Sequence, residues 1–137
     1  MDCSETIERF LELFPEKKPA YIEHMEMFGE LLQHPFYYEN INVPLQKLLA
    51  DQTDTALIRK YCAFIERMIQ DGDEAVKNVA DVTVLECLSD DRTLWHRFAA
   101  YISNDLIRYI NNRLLHENTA MYGVDQLAYN GRNHKNG

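Results

Sequence analysis

The side chains best equipped for chemistry in this chain are its acids, histidines and cysteines, and their spacing decides which reactions they can serve. A di-iron site in a helical bundle needs Glu-x-x-His, which places two ligands on one face a turn apart. None of His24, His34, His96 or His116 has a glutamate three residues before it. A zincin helix needs His-Glu-x-x-His, yet His116-Glu117 is followed by Asn118, Thr119 and Ala120. Glu23, Glu26 and Glu30 share one side of a helix, but three acids on a wet face are ordinarily just solvated. No metal and no cofactor are expected. Cys3, Cys62 and Cys87 form no Cys-x-x-Cys pair, which excludes a zinc ribbon or a thioredoxin-like motif. Cys62 and Cys87 lie on apolar helix faces, where a thiol behaves as an inert small hydrophobe. There is no Gly-x-Ser-x-Gly elbow and no glycine-rich phosphate loop. No catalytic residue is assigned, and the chain reads as a non-enzyme.

Five residues remain as candidate ligand or partner contacts. Glu86 interrupts the apolar runs Val82-Thr83-Val84-Leu85 and Cys87-Leu88, so part of its surroundings must be apolar. A buried carboxylate has to be paired, hydrogen-bonded or protonated. His96 and Arg97 follow within reach of a helical hairpin. The three residues form either a polar clamp between helices or the wall of a small-molecule pocket. Tyr37 and Tyr38 belong to the aromatic run Phe36-Tyr37-Tyr38, and adjacent residues on a short element cannot all face inward. Tyrosine and tryptophan dominate binding hot spots. Trp95, beside Leu94 and Phe98, reads as core instead.

The elements that must position these residues are helices. The chain has 137 residues with only five glycines and four prolines, and the stretch from Asp73 to Tyr122 contains neither. Sheet proteins punctuate their turns with those residues, so a mostly-β fold is excluded. Ile7, Phe10, Leu11 and Phe14 recur at helical spacing, with Ser4 as N-cap and Pro15 as the stop. A second helix starts near Pro19, buries Ile22, Met25, Gly29 and Leu32, and ends at His34-Pro35. Pro44 opens a short helix through Leu45, Leu48 and Leu49. Thr53 caps the helix of Leu57, Ile58, Tyr61, Cys62, Ile65, Met68 and Ile69. Gly72 suits a left-handed residue after its end, and Asp73 the next N-cap. Residues 74–88 are apolar on most faces and should be central, with a strand over 82–85 as the alternative. Ser89 starts the helix of Trp95 and Phe98, and Ser103-Asn104-Asp105 breaks it from a last helix.

Charge is uneven. The net charge is −8, and residues 1–51 carry ten carboxylates against four cations. Arg92, Arg97, Arg108 and Arg113 make the last helices slightly basic. An acidic chain is not expected to bind nucleic acid, or an anionic membrane, unless Arg132, His134 and Lys135 extend the Arg97–Arg113 helices into a basic strip. No apolar stretch approaches the roughly 18 residues that span a bilayer. The acidic, amphipathic start Met1-Asp2-Cys3 is unlike a secretory leader, so reduced thiols and a cytoplasmic setting are expected. Residues 1–117 read as one helical domain and 118–137 as a polar tail. The tail, rich in asparagine and glycine, is either loose or docked through Tyr122, Leu127 and Tyr129.

The run Asp71-Gly72-Asp73-Glu74-Ala75-Val76-Lys77-Asn78-Val79 with Leu85-Glu86-Cys87-Leu88 resembles a group of small all-helical bacterial proteins of uncharacterised function. Phe14-Pro15-Glu16 and Trp95-His96-Arg97-Phe98-Ala99-Ala100-Tyr101-Ile102-Ser103 share the likeness, which covers residues 10 to about 115. Such proteins look like immunity-type proteins that neutralise a partner toxin. The resemblance implies an all-helical fold in a bacterial cytosol and brings no catalytic residues.

The expected fold is thus all-α, a compact irregular bundle or short stack of helical hairpins with six or seven helices. The expected function is that of a non-enzymatic protein-binding module presenting an acidic, partly aromatic surface to a basic partner, as an immunity-like inhibitor does. The alternative is a small-molecule or enzymatic pocket around Glu86, His96 and Arg97, and a homo-oligomeric structural role is a third reading.

Overall fold

The computed structural model describes residues 1–116 and 126–131, with side chains of 114–116 not included. Among the described residues there are seven helices and no strand. Helix α1 spans Cys3–Leu13, and a single 3-10 turn at Pro15–Lys17 leads into α2, Lys18–Phe28. Helix α3 comprises Gln33–Tyr37, a π-helical stretch Tyr38–Asn42, and Val43–Asp51. Helix α4 is Thr55–Asp71. Helix α5 joins Glu74–Asn78, a second π-helical stretch Val79–Leu85, and Glu86–Ser89. Helices α6, Arg92–Ala99, and α7, Asn104–His116, complete the bundle.

The two composite helices run through points where local rules call for a break. Pro44 lacks an N–H and would press its ring on the carbonyl four residues back in a regular helix. The preceding turn is widened, and the Val43 N–H bonds the Tyr38 carbonyl, five residues back. Backbone angles stay right-handed across both joints of α3, so the chain opens no new helix at Pro44. In α5 the β-branched run Val82-Thr83-Val84 crowds the preceding turn. The Glu86 N–H there reaches the Asp81 carbonyl. Residues 82–85 are therefore helical, and the strand alternative is overturned.

The π segments lie against each other and are tied by side chains of α3. The Asn42 amide donates to the Val84 carbonyl at 3.0 Å from a fully buried position. Gln46 donates to the Cys87 carbonyl at 3.4 Å, and His34 shares a hydrogen bond with the Thr83 hydroxyl. As expected, α5 is central: Val76, Val79, Ala80, Val84, Leu85 and Leu88 are all buried. Phe10 of α1 and Phe14 at its C-cap meet Phe36 and Tyr37 of α3 and Tyr61 and Phe64 of α4 in one aromatic cluster. Phe14 stacks on Tyr61 at 4.5 Å, and Phe10 meets Tyr37 edge-on at 5.5 Å. Trp95 is buried and stacked on Phe98 at 5.7 Å, a core residue as read from its neighbours.

Several helix ends differ from the sequence reading. The N-caps of α1, α4 and α6 are Asp2, Asp54 and Asp91, not Ser4, Thr53 and Ser89. Each carboxylate accepts a backbone N–H of the first turn. An aspartate satisfies the orphan donor and adds charge complementary to the helix dipole. Asp73 caps α5 as expected, accepting from Val76 at 3.0 Å. Gly72 is extended rather than left-handed, with φ −71°. Its lack of a side chain serves close approach instead, since a Cβ would stand 2.2 Å from the Met68 carbonyl oxygen. Among the described residues the left-handed glycine is Gly29, φ 72°, which ends α2 six residues before Pro35. Ser103 caps α7 by accepting the Leu106 N–H, which confirms the break after α6.

Residues 126–131 dock on α6 and α7 through asparagines. Asn111 and the Leu127 backbone exchange two hydrogen bonds of 2.8 Å, and Leu127 is buried. Asn130 exchanges a similar pair with Asn104 and donates to the carbonyls of Ile102 and Ala99. Tyr129 is exposed, while Tyr122, Arg132, His134 and Lys135 lie outside the described residues.

Candidate functional site

The five candidate residues are not brought to one place. Tyr37 is fully buried and offers a partner no surface, while Tyr38, the next residue, is 39% exposed. The Tyr37 hydroxyl finds no hydrogen-bond partner among the described residues, and burial pushes its pKa upward, so it stays a neutral phenol. Arg97 reaches back to α3, donating to the carbonyls of Leu49 at 2.9 Å and Ala50 at 3.1 Å. A guanidinium on the last carbonyls of a helix satisfies orphan acceptors and favours the negative end of its dipole. A cleft of about 120 Å³ touches Arg97, with Leu49, Gln52, Ile58, Ala100 and Tyr101 as the other lining residues. Neither Glu86 nor His96 lines that cleft. His96 is exposed on α6, and Glu86 is half-buried with no bond to Arg97.

The buried carboxylate of α5 is Asp81, one turn before Glu86, and the sequence reading missed it. Asp81 accepts from the Tyr109 hydroxyl at 2.9 Å to each oxygen and meets Arg113 at 3.6 Å. Tyr109 and Arg113 stand four apart on α7, a spacing that could have flagged a polar pair facing α5. Burial, and then the Asp81 charge, push the Tyr109 pKa up to about 12. This trio joins two helices and is engaged within the protein. The weak cationic patch is likewise occupied, with Arg97 on α3, Arg108 on Asp105 at 2.9 Å and Arg113 on Asp81. Burial pushes all three thiols, Cys3, Cys62 and Cys87, to higher pKa. They stand as thiols, not thiolates, at neutral pH. Among the described residues no three His, Cys, Asp or Glu gather as a metal site.

The surface that stands apart is α2 with the start of α3. Helix α2 has no buried residue at all, and Ile22, Met27 and Phe28 are 48%, 68% and 47% exposed. The face expected to bury Ile22, Met25, Gly29 and Leu32 does not do so, because Gly29 ends the helix and Met25 and Leu32 are only half-buried. Beside the exposed apolar residues stand Glu23, Glu26 and Glu30, all exposed. Between α2 and α3 opens a cleft of about 330 Å³. Met27, Phe28, Pro35 and Phe36 contribute apolar lining, and Glu23 of α2 and Glu39 of α3 bring carboxylates. His24 fixes the linker by accepting the Leu32 N–H on Nε2 at 3.0 Å, and its ring lies 4.8 Å from Phe28 and 5.4 Å from Phe36. The signal for this surface was present in the sequence: Met27-Phe28 directly before Gly29, on a helix that carries Glu23 and Glu26 and is followed by Glu30.

Residues 7–117 match the family model described as Domain of unknown function (DUF7674). The chain belongs to the DUF7674 family. The match takes in the seven described helices α1 to α7 from Ile7 onward, including both walls of the α2–α3 cleft, and ends before the docked Leu127 and Asn130. No curated protein and no solved structure matches the chain. Membership in DUF7674 thus agrees with a small uncharacterised helical domain, and no described helix is long and apolar enough to cross a membrane.

Proposed function

We propose that this DUF7674 protein is a non-enzymatic protein-binding module that docks its acidic, partly aromatic N-terminal surface on a basic partner. The observation that carries the reading is α2, a helix with no buried residue that displays Ile22, Met27 and Phe28 interleaved with Glu23 and Glu26, with Glu30 exposed just past its Gly29 cap. Exposed apolar residues rimmed by charge mark interaction sites. The acids attract a cationic partner and set its orientation, and the apolar groups hold it once docked. The likeness to immunity-type proteins supports an inhibitor of a partner toxin in the bacterial cytoplasm.

The test is co-purification from the native host with the wild-type chain and with Glu23→Lys/Glu26→Lys/Glu30→Lys. All three positions are exposed, so the fold tolerates the change. A stoichiometric basic partner, held by the wild type and lost by the reversal variant, is expected. Absence of a stoichiometric partner, or its retention by the variant, overturns the proposal.

A further inference from the structure

We infer that the α2–α3 cleft is a socket for a single arginine side chain presented by the partner, an inference that rests on the docking role proposed above. The cleft combines three things that a guanidinium uses. Phe28, 47% exposed, gives the aromatic surface, and Phe36, also in the lining, is buried. Glu23 and Glu39 bring a carboxylate from each of the two helices. The remaining lining from Ala20, Met27 and Pro35 is apolar and suits the methylene stem. Arginine stacks on aromatic faces, pairs with carboxylates through a planar fork and is weakly hydrated. Lysine, a compact and strongly hydrated ammonium, gains less from an aromatic wall. A cavity of about 330 Å³ admits one long side chain, not a folded element.

Two polar atoms of the cleft lining are engaged within the protein. His24 Nε2 accepts from Leu32, and the Asn40 amide donates to the Phe36 carbonyl at 2.9 Å. The two glutamates have no ion-pair partner among the described residues, so their charge is available to a ligand. Neither residue is needed for packing, because both are exposed.

The probe is a blocked Leu-Arg-Leu peptide, titrated into the full chain and followed by backbone amide shifts. Saturable shifts confined to residues lining the cleft are expected. Replacing the arginine by citrulline, which keeps the shape and removes the charge, should abolish them, and Glu23→Gln/Glu39→Gln should weaken binding about tenfold or more. Phe28→Ala should weaken it too, and raised salt should act in the same direction. Equal binding of the citrulline or lysine peptide overturns the socket, as does an unsaturable response spread over the other acidic surfaces. A chain that captures its partner through α2 yet ignores the arginine peptide overturns the socket alone. A chain that captures no partner overturns the docking role itself.

Discussion

Helices α2 and α5 sit in the same bundle and are held by opposite means. Helix α5 is surrounded: six apolar residues are buried, Asn42, Gln46 and His34 bond its backbone or side chains, and Asp81 is held from α7. Helix α2 buries nothing fully and is pinned at its end by His24, by ring contacts to Phe36 and by the Gly29 cap. The first helix spends its apolar residues on the fold, and the second leaves them facing water. Side chains that contribute little to stability while exposed are the ones available for another molecule. Comparing the two helices therefore separates residues that hold the fold from residues left open to solvent.

The largest test of that separation is Leu85→Ala. Leu85 is fully buried, and its truncation should cost about 2–5 kcal/mol in denaturant unfolding. A cost below about 1 kcal/mol would show that α5 is not the centre. Asn42→Ala comes next: it removes the donor to Val84 and should cost about 1–3 kcal/mol, with the buried carbonyl left unsatisfied. Tyr109→Phe removes the hydroxyl from Asp81 and should cost about 1–2 kcal/mol at neutral pH. It also changes the alkaline limb. Tyr109 titrates near pH 12 in the fold, against about 10 in an unfolded chain. Between those values the unfolded state has released a proton that the folded state keeps, so stability falls as pH rises through that window. The variant should show a shallower decline there. The smallest effect belongs to α2: Met27→Ser should stay within about 0.5 kcal/mol of the wild type while reducing partner capture. A large loss of stability would place α2 with α5 and erase the contrast.

Much of the bundle was legible. Helices α1, α4, α6 and α7 announce themselves by periodicity, and the breadth of apolar positions in 74–88 marked α5 as central. Caps were harder, because Asp and Ser or Thr stand within two residues of each other at Asp2/Ser4, Asp54/Thr53 and Asp91/Ser89, and both types cap well. In each case the aspartate makes the capping bond. The passage of α3 through Pro44 was not legible, since only the neighbouring α5 makes a widened turn preferable to a break. The acidic side of α2 was read correctly, but its apolar side was assigned to the core. Apolar spacing shows that a face exists and not what covers it. Asp81 was overlooked for Glu86 because the partner that marks it, Tyr109, is distant in sequence.

The paired π segments set how this chain can tolerate insertions and deletions. A π turn holds one residue more than the α turn it replaces. Deleting one residue within 79–85 would let α5 close to regular geometry without breaking it. A π turn and an α turn each complete a single revolution, so the residues that follow would keep nearly the same face. The change would fall on the widened turn itself, where Val84 presents the carbonyl that the Asn42 amide holds. A one-residue deletion there should therefore spare the buried face of α5 and cost the bond between Asn42 and Val84 first.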